Sequence, residues 1–152
     1  MSDFKDGAIA SLSLNAVNAL QATKTVLSDI SDATGILSLR AITPGVSGNS
    51  LKVEVTDPGP NDVDLACSMG GAGNNTLTIA LGRTVASTNS TKNTITLIAA
   101  AINAITANKK ITATAGGTAS KKVTVIAAAA DFTGGVATTQ NGSGITHAGY
   151  AE

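Results

Sequence analysis

Gly48-Asn-Ser-Leu-Lys-Val-Glu-Val-Thr-Asp-Pro-Gly-Pro60 is the stretch from which the fold is read. Leu51, Val53 and Val55 alternate with Lys52, Glu54 and Thr56, the two-residue period of a strand with one buried face. Asp57-Pro-Gly-Pro60 then ends the strand with turn formers. Upstream, Ile36, Leu37, Leu39, Ala41 and Ile42 form another strand-like run, stopped by Thr43-Pro-Gly45. Downstream, Asp64 to Met69 and Leu77 to Leu81 are two more strands, joined by the turn Gly70-Gly-Ala-Gly-Asn-Asn75, whose glycines and asparagines tolerate positive φ. Gly48-Asn and Gly73-Asn each open an alternating aliphatic strand, an echo that two similar hairpins explain without a true repeat.

Beyond this β region the period changes. Ile95, Ile98, Ile102 and Ile105 lie at helical spacing, with Thr94 or Asn93 as N-cap, which predicts a helix over 94–107. Its β-branched residues lower intrinsic propensity, so packing against the sheet must hold it. Ile111 to Ala115 and Val123 to Ala127 then read as a final hairpin around Gly116-Gly117, with Lys109-Lys110 and Lys121-Lys122 brought together at its end as a small basic patch. At the N-terminal side, Ala16, Val17, Leu20, Leu27 and Ile30 predict a helix from Asn15 to Ile30, after an extended arm that reaches Leu14. From Thr133 to Glu152 no period of either kind exists, so that segment is either disordered or ordered by a neighbour. The expectation is an α+β protein: a mainly antiparallel β-sheet or sandwich with one packed α-helix. An N-terminal helix or arm occupies 1–35, the β-rich core 36–132 and an extended C-terminal arm 133–152.

Composition bounds the chemistry. The chain has 26 Ala, 16 Gly, 13 Ser and 21 Thr, half of its 152 residues, so its core is thin and aliphatic. Phe4, Phe132 and Tyr150 are the only aromatics, too few for a platform that stacks bases or sugars. With 10 Lys and Arg against 10 Asp and Glu, no global pull toward nucleic acid or an anionic membrane is expected. No signal-peptide core and no long apolar run is visible, and the single Cys67 agrees with synthesis in a reducing cytoplasm.

Candidate motifs resolve into structural roles. The Gly70 to Asn75 turn lacks the Lys and the following helix of a phosphate-binding loop. Asp57, Asp62 and Asp64 with Asn61 offer oxygen ligands for calcium, but their spacing matches no EF-hand and they stand among turn formers. His147 is the sole histidine, without a rigid partner to orient it, and Cys67 reads as a small buried hydrophobe. No catalytic, cofactor-binding or metal residue is assigned, and an enzyme is not expected. Phe4, His147 and Tyr150, in the terminal segments, are the candidate partner-binding residues.

The run Thr43-Pro-Gly-Val-Ser-Gly-Asn-Ser-Leu-Lys-Val-Glu-Val-Thr-Asp-Pro-Gly59 resembles part of a module common in tailed-bacteriophage virion proteins. Asn75-Thr-Leu-Thr-Ile-Ala-Leu81, the helix Thr94 to Ala107, Val123-Thr-Val-Ile-Ala127 and Asp131-Phe-Thr-Gly-Gly-Val136 extend the resemblance over Ile36 to Val136. It is most similar to capsid decoration, or cement, proteins. The resemblance implies a homo-oligomer, as a trimer, made in the host cytoplasm and carried on the outer capsid surface. Its partner there is the major capsid protein, with no cofactor, nucleic acid or membrane. A tail tube or other tail protein and a virion-surface carbohydrate-binding Ig-like module are the alternatives. The matching positions Gly48, Asn49, Pro58, Gly59 and Gly134 are turn formers, so no functional residue is carried over.

Overall fold

The structure, a computed structural model, describes residues 19–27, 34–85, 87–88, 90–124 and 126–137. Seven strands run in chain order: β1 (Thr23–Leu27), β2 (Gly35–Ala41), β3 (Lys52–Thr56), β4 (Ala66–Gly70), β5 (Thr76–Ala80), β6 (Ile111–Gly117) and β7 (Ala127–Asp131). Among the described residues one α-helix, α1 (Ile95–Asn103), lies between β5 and β6. The strands form a three-stranded sheet ordered β1-β2-β6 and a four-stranded sheet ordered β4-β5-β3-β7. The first is antiparallel throughout; the second is mixed, because β3 pairs parallel to β5.

Alternation decides which faces are buried. In β2, Leu37, Leu39 and Ala41 point inward while Ser38 and Arg40 face solvent, and in β3 Val53 and Val55 are inside. β5 adds Leu77 and Ile79, β6 adds Ile111 and Ala113, and Phe132 completes one continuous core. Helix α1 closes it with Ile95, Ile98 and Ile102, all fully buried, packed mainly on β6 and touching β2 and β4. Each such isoleucine contributes roughly 1.5–3 kcal/mol by burial, enough to outweigh its weak helix propensity. The Thr94 hydroxyl accepts the Leu97 N–H at 3.3 Å and caps the helix, as its sequence position suggested.

Three expectations are corrected. The helix expected over Asn15–Ile30 is not formed in its described part. Thr23–Leu27 is a strand paired with β2, and Leu20, which belonged to the supposed buried stripe, is 54% exposed. Thr23, Thr25 and Val26 are β-branched, and the edge of β2 offers them a ladder. The final hairpin also fails. β6 pairs with β2, while Ala127–Asp131 crosses to β3 in the other sheet, so the chain between them changes sheets. Its two lysine pairs therefore sit at opposite ends of α1. Lys109 donates to the Asn103 carbonyl, and the Lys121 carbonyl accepts from Ile95. Finally, α1 stops at Asn103 instead of running to Ala107: past it only Ile105 has core to reach, and Asn108 turns left-handed at φ 54° ahead of β6.

The start of the segment expected as a C-terminal arm is part of the domain. Thr133 exchanges backbone hydrogen bonds with Thr23, and Val136 with Leu20. Between them Gly135 is packed so closely that a side chain there would strike the Gly45 carbonyl, and a side chain on Gly48 would come within 2.9 Å of the Ala22 methyl. Small residues are required at this junction for contact, beyond any role in turning the chain. Residues from 138 onward lie outside the described part.

Sheet edges differ in how they end. On β6, the Asn103 side chain donates to the Ala113 carbonyl at 2.8 Å and accepts its N–H at 3.0 Å, which occupies that edge. On β1, Thr133 bridges Thr23. The outer edges of β4 and β7 pair with no other strand among the described residues.

Candidate interaction surface

The face of the β1-β2-β6 sheet turned away from the core is built by register. Thr23, Arg40 and Thr112 lie side by side in one cross-strand row, and Thr25, Ser38 and Thr114 in the next. All six are exposed. With neighbouring strands about 4.8 Å apart, these rows make a flat field of hydroxyls around one guanidinium. A shallow hollow of about 490 Å³ lies over it. Arg40 forms no ion pair among the described residues, and no carboxylate lies in either row. Its planar fork of donors suits a carboxylate brought by a partner, with threonine hydroxyls on either side to donate or accept.

Much of the remaining polar chemistry is directed into the fold. Asn93, fully buried, accepts the Gly82 N–H at 2.7 Å and donates to the carbonyls of Gly82 and Thr88 at 2.8 and 2.6 Å. Asn49 holds Gly135 in the same way, through its N–H at 2.8 Å and carbonyl at 3.0 Å. Asn103 does so for Ala113. Each carboxamide replaces a neighbouring strand for a single residue, which satisfies a donor and an acceptor together.

The acidic cluster is likewise accounted for. Asp57 accepts from Arg83 Nη1 at 2.7 Å and from the Gly59 N–H, which holds its carboxyl below the usual 3.8. Asp64 is lowered by its hydrogen bond to Lys92, 2.8 Å away. Asp62 adopts a left-handed turn conformation at φ 54°. Among the described residues no group of three or more His, Cys, Asp or Glu side chains is placed to hold a metal ion. Cys67 on β4 packs against the core, and burial pushes its thiol up to about 12. At neutral pH it carries its proton and is a poor nucleophile.

Phe4, His147 and Tyr150 lie outside the described residues. The spacing from Asn15 to Ile30 predicts a helix across 23–27, and a helix there hides the Arg40 field. Thr23-Lys-Thr25, Ser38-Leu-Arg40 and Thr112-Ala-Thr114 share one alternation, which becomes visible once all three are strands.

These features define an α+β protein with two sheets, one helix and a flat hydroxyl-bearing face. No protein family, curated protein or solved structure matches the chain. No described helix is long and apolar enough to cross a membrane.

Proposed function

We propose that the protein is a structural component of a phage virion that binds the outer surface of the capsid as a homotrimer and reinforces contacts between major capsid subunits. The observation that carries this reading is the flat field of Thr23, Thr25, Ser38, Thr112 and Thr114 around Arg40. Such a surface has shape and hydrogen-bonding capacity for a large, flat partner. The resemblance over Ile36 to Val136 supports the same reading. So does the way the asparagines and the acidic cluster are engaged within the fold. Phe4, His147 and Tyr150 are proposed as further anchors from the terminal segments, where repeated weak contacts add by avidity.

Co-sedimentation with capsids lacking the protein tests it. The expected result is saturable retention, which Arg40→Glu lowers at least tenfold while thermal unfolding stays within a degree or two of the parent. A protein that is monomeric and does not sediment with shells overturns the reading. A tail protein forming hexameric rings is the second reading, because sheet edges left unpaired among the described residues suit a ring of six as well as one of three; negative-stain microscopy separates the two. A carbohydrate-binding role gains no support from the described residues, whose only ring, Phe132, is 1% exposed.

A further inference from the structure

The two unpaired edges belong to the same sheet and lie on its opposite sides, β4 at one end and β7 at the other. β7 is Ala127-Ala-Ala-Ala-Asp131. Ala127, Ala128 and Ala129 are exposed, and so is the preceding Ile126, at 51%. Edge strands are ordinarily blunted by lysine, proline, an inward charge or a covering segment. Along its alanines β7 carries no lysine, proline or inward charge, and no described strand covers it; its pairing with β3 has one register shift, opposite Val53–Val55, and its one charge, Asp131, sits at the end and is drawn to Lys52 at 3.6 Å. The three-stranded sheet shows that this chain does guard edges, with Asn103 on β6 and Thr133 on β1. Among the described residues neither β4 nor β7 has such a partner on its outer edge.

The partner edge that fits is on the page. β4 is Ala66-Cys-Ser-Met-Gly70, with small side chains at Ala66, Ser68 and Gly70 and the larger Cys67 and Met69 packed toward the core. Its outer edge pairs with no other strand among the described residues. Because β4 is antiparallel to β5, β5 is parallel to β3 and β3 is antiparallel to β7, both edge strands run the same way. Copies related by rotation about an axis along the strands bring β7 of one beside β4 of the next as a parallel pair. A two-fold dimer through β7 would cover one edge and leave both β4 edges open. A closed ring leaves none.

We infer that β7 of one copy adds to β4 of the next, so that the four-stranded sheets join into one continuous sheet around a cyclic homo-oligomer. This deepens the homotrimer reading above and rests on it for the number of copies. Pairing is through backbone hydrogen bonds, the mode of strand addition, and the alanines let the two backbones approach without displacing side chains.

Cross-linking the purified protein tests it. In a Cys67→Ala background, Ser68→Cys and Ala129→Cys are made singly and together and treated with a short bismaleimide. The expected result is covalent trimer from the double variant, no cross-linking from either single variant, and hetero-dimers when the two single variants are mixed. Ala129→Lys, a charge on an exposed position, is expected to raise the dissociation constant of the oligomer at least tenfold with an unchanged far-ultraviolet spectrum. Covalent dimer from Ala129→Cys alone means two-fold pairing and overturns the inference. A trimer in which the double variant does not cross-link, or a parent protein that is monomeric, also overturns it. Rings that cross-link as expected but do not bind shells leave the inference standing and remove the capsid reading; shell-binding trimers without this cross-link do the reverse.

Discussion

Asn93 and Asn49 perform the same act in two places: each offers its carboxamide to the N–H and carbonyl of one glycine. Asn93 grips Gly82, 11 residues away, in a site sealed from water; Asn49 grips Gly135, 86 residues away, in a site partly open. The first holds a local loop between β5 and α1. The second fastens the segment that follows β7 to the loop before β3. Burial sets the energy of such a clamp, and sequence separation sets when in folding it forms. An unsatisfied amide costs more where water cannot reach it, and a contact across most of the chain must first overcome loop-closure entropy.

Removing the buried clamp gives the largest effect. Asn93→Ala leaves the Gly82 N–H and carbonyl and the Thr88 carbonyl without this partner. A loss of about 4 kcal/mol is expected, visible as a lower urea midpoint with an unchanged slope. Asn49→Ala is expected to cost about 1–2 kcal/mol, because water replaces part of what is lost. The two variants also separate in time. Stopped-flow chevrons should show Asn49→Ala mainly on the unfolding limb and Asn93→Ala on both limbs. Equal effects on folding rate would remove the distinction between local and distant closure.

The smallest effect is electrostatic and belongs to neither clamp. In the folded chain Arg83 holds Asp57 below 3.8, so the carboxylate stabilises the native state above that pH, and this contribution is lost as the pH falls through the folded value. Melting temperatures followed downward from pH 3.8 should therefore fall less steeply in Arg83→Met than in the parent. Asp64, held by Lys92, titrates the same way in both and serves as the internal control.

Strands with one wet face were readable from sequence, because alternation at Leu51, Val53 and Val55 or at Leu77 and Ile79 admits one arrangement. The helix was readable from its isoleucines. What alternation does not encode is which strands pair. Ile111–Ala115 and Val123–Ala127 looked like a hairpin because they are neighbours in sequence, yet the strands that form, Ile111–Gly117 and Ala127–Asp131, pair elsewhere, with β2 and with β3. Thr23–Leu27 carried helical spacing only through Leu27 and residues that flank the strand, and pairing with β2 prevailed over that weak periodicity. The Arg40 field was hidden for the same reason, since its rows exist only after three separated segments are placed side by side. Gly134 was legible as a turn former, but Gly135 was not legible as the seat of a clamp, because the asparagine that grips it lies 86 residues away in sequence.

Phe132 is the only ring among the described residues, and it is sealed into the core immediately before the Thr133 to Val136 junction. With no tryptophan in the chain, the near-ultraviolet dichroism that Phe132 contributes, set apart from that of Phe4 and Tyr150 by comparison with Phe132→Leu, becomes an intrinsic optical gauge of whether that seam is shut. A population that keeps its sheets but has let the seam part would lose this signal alone, so the molecule carries its own label for that event.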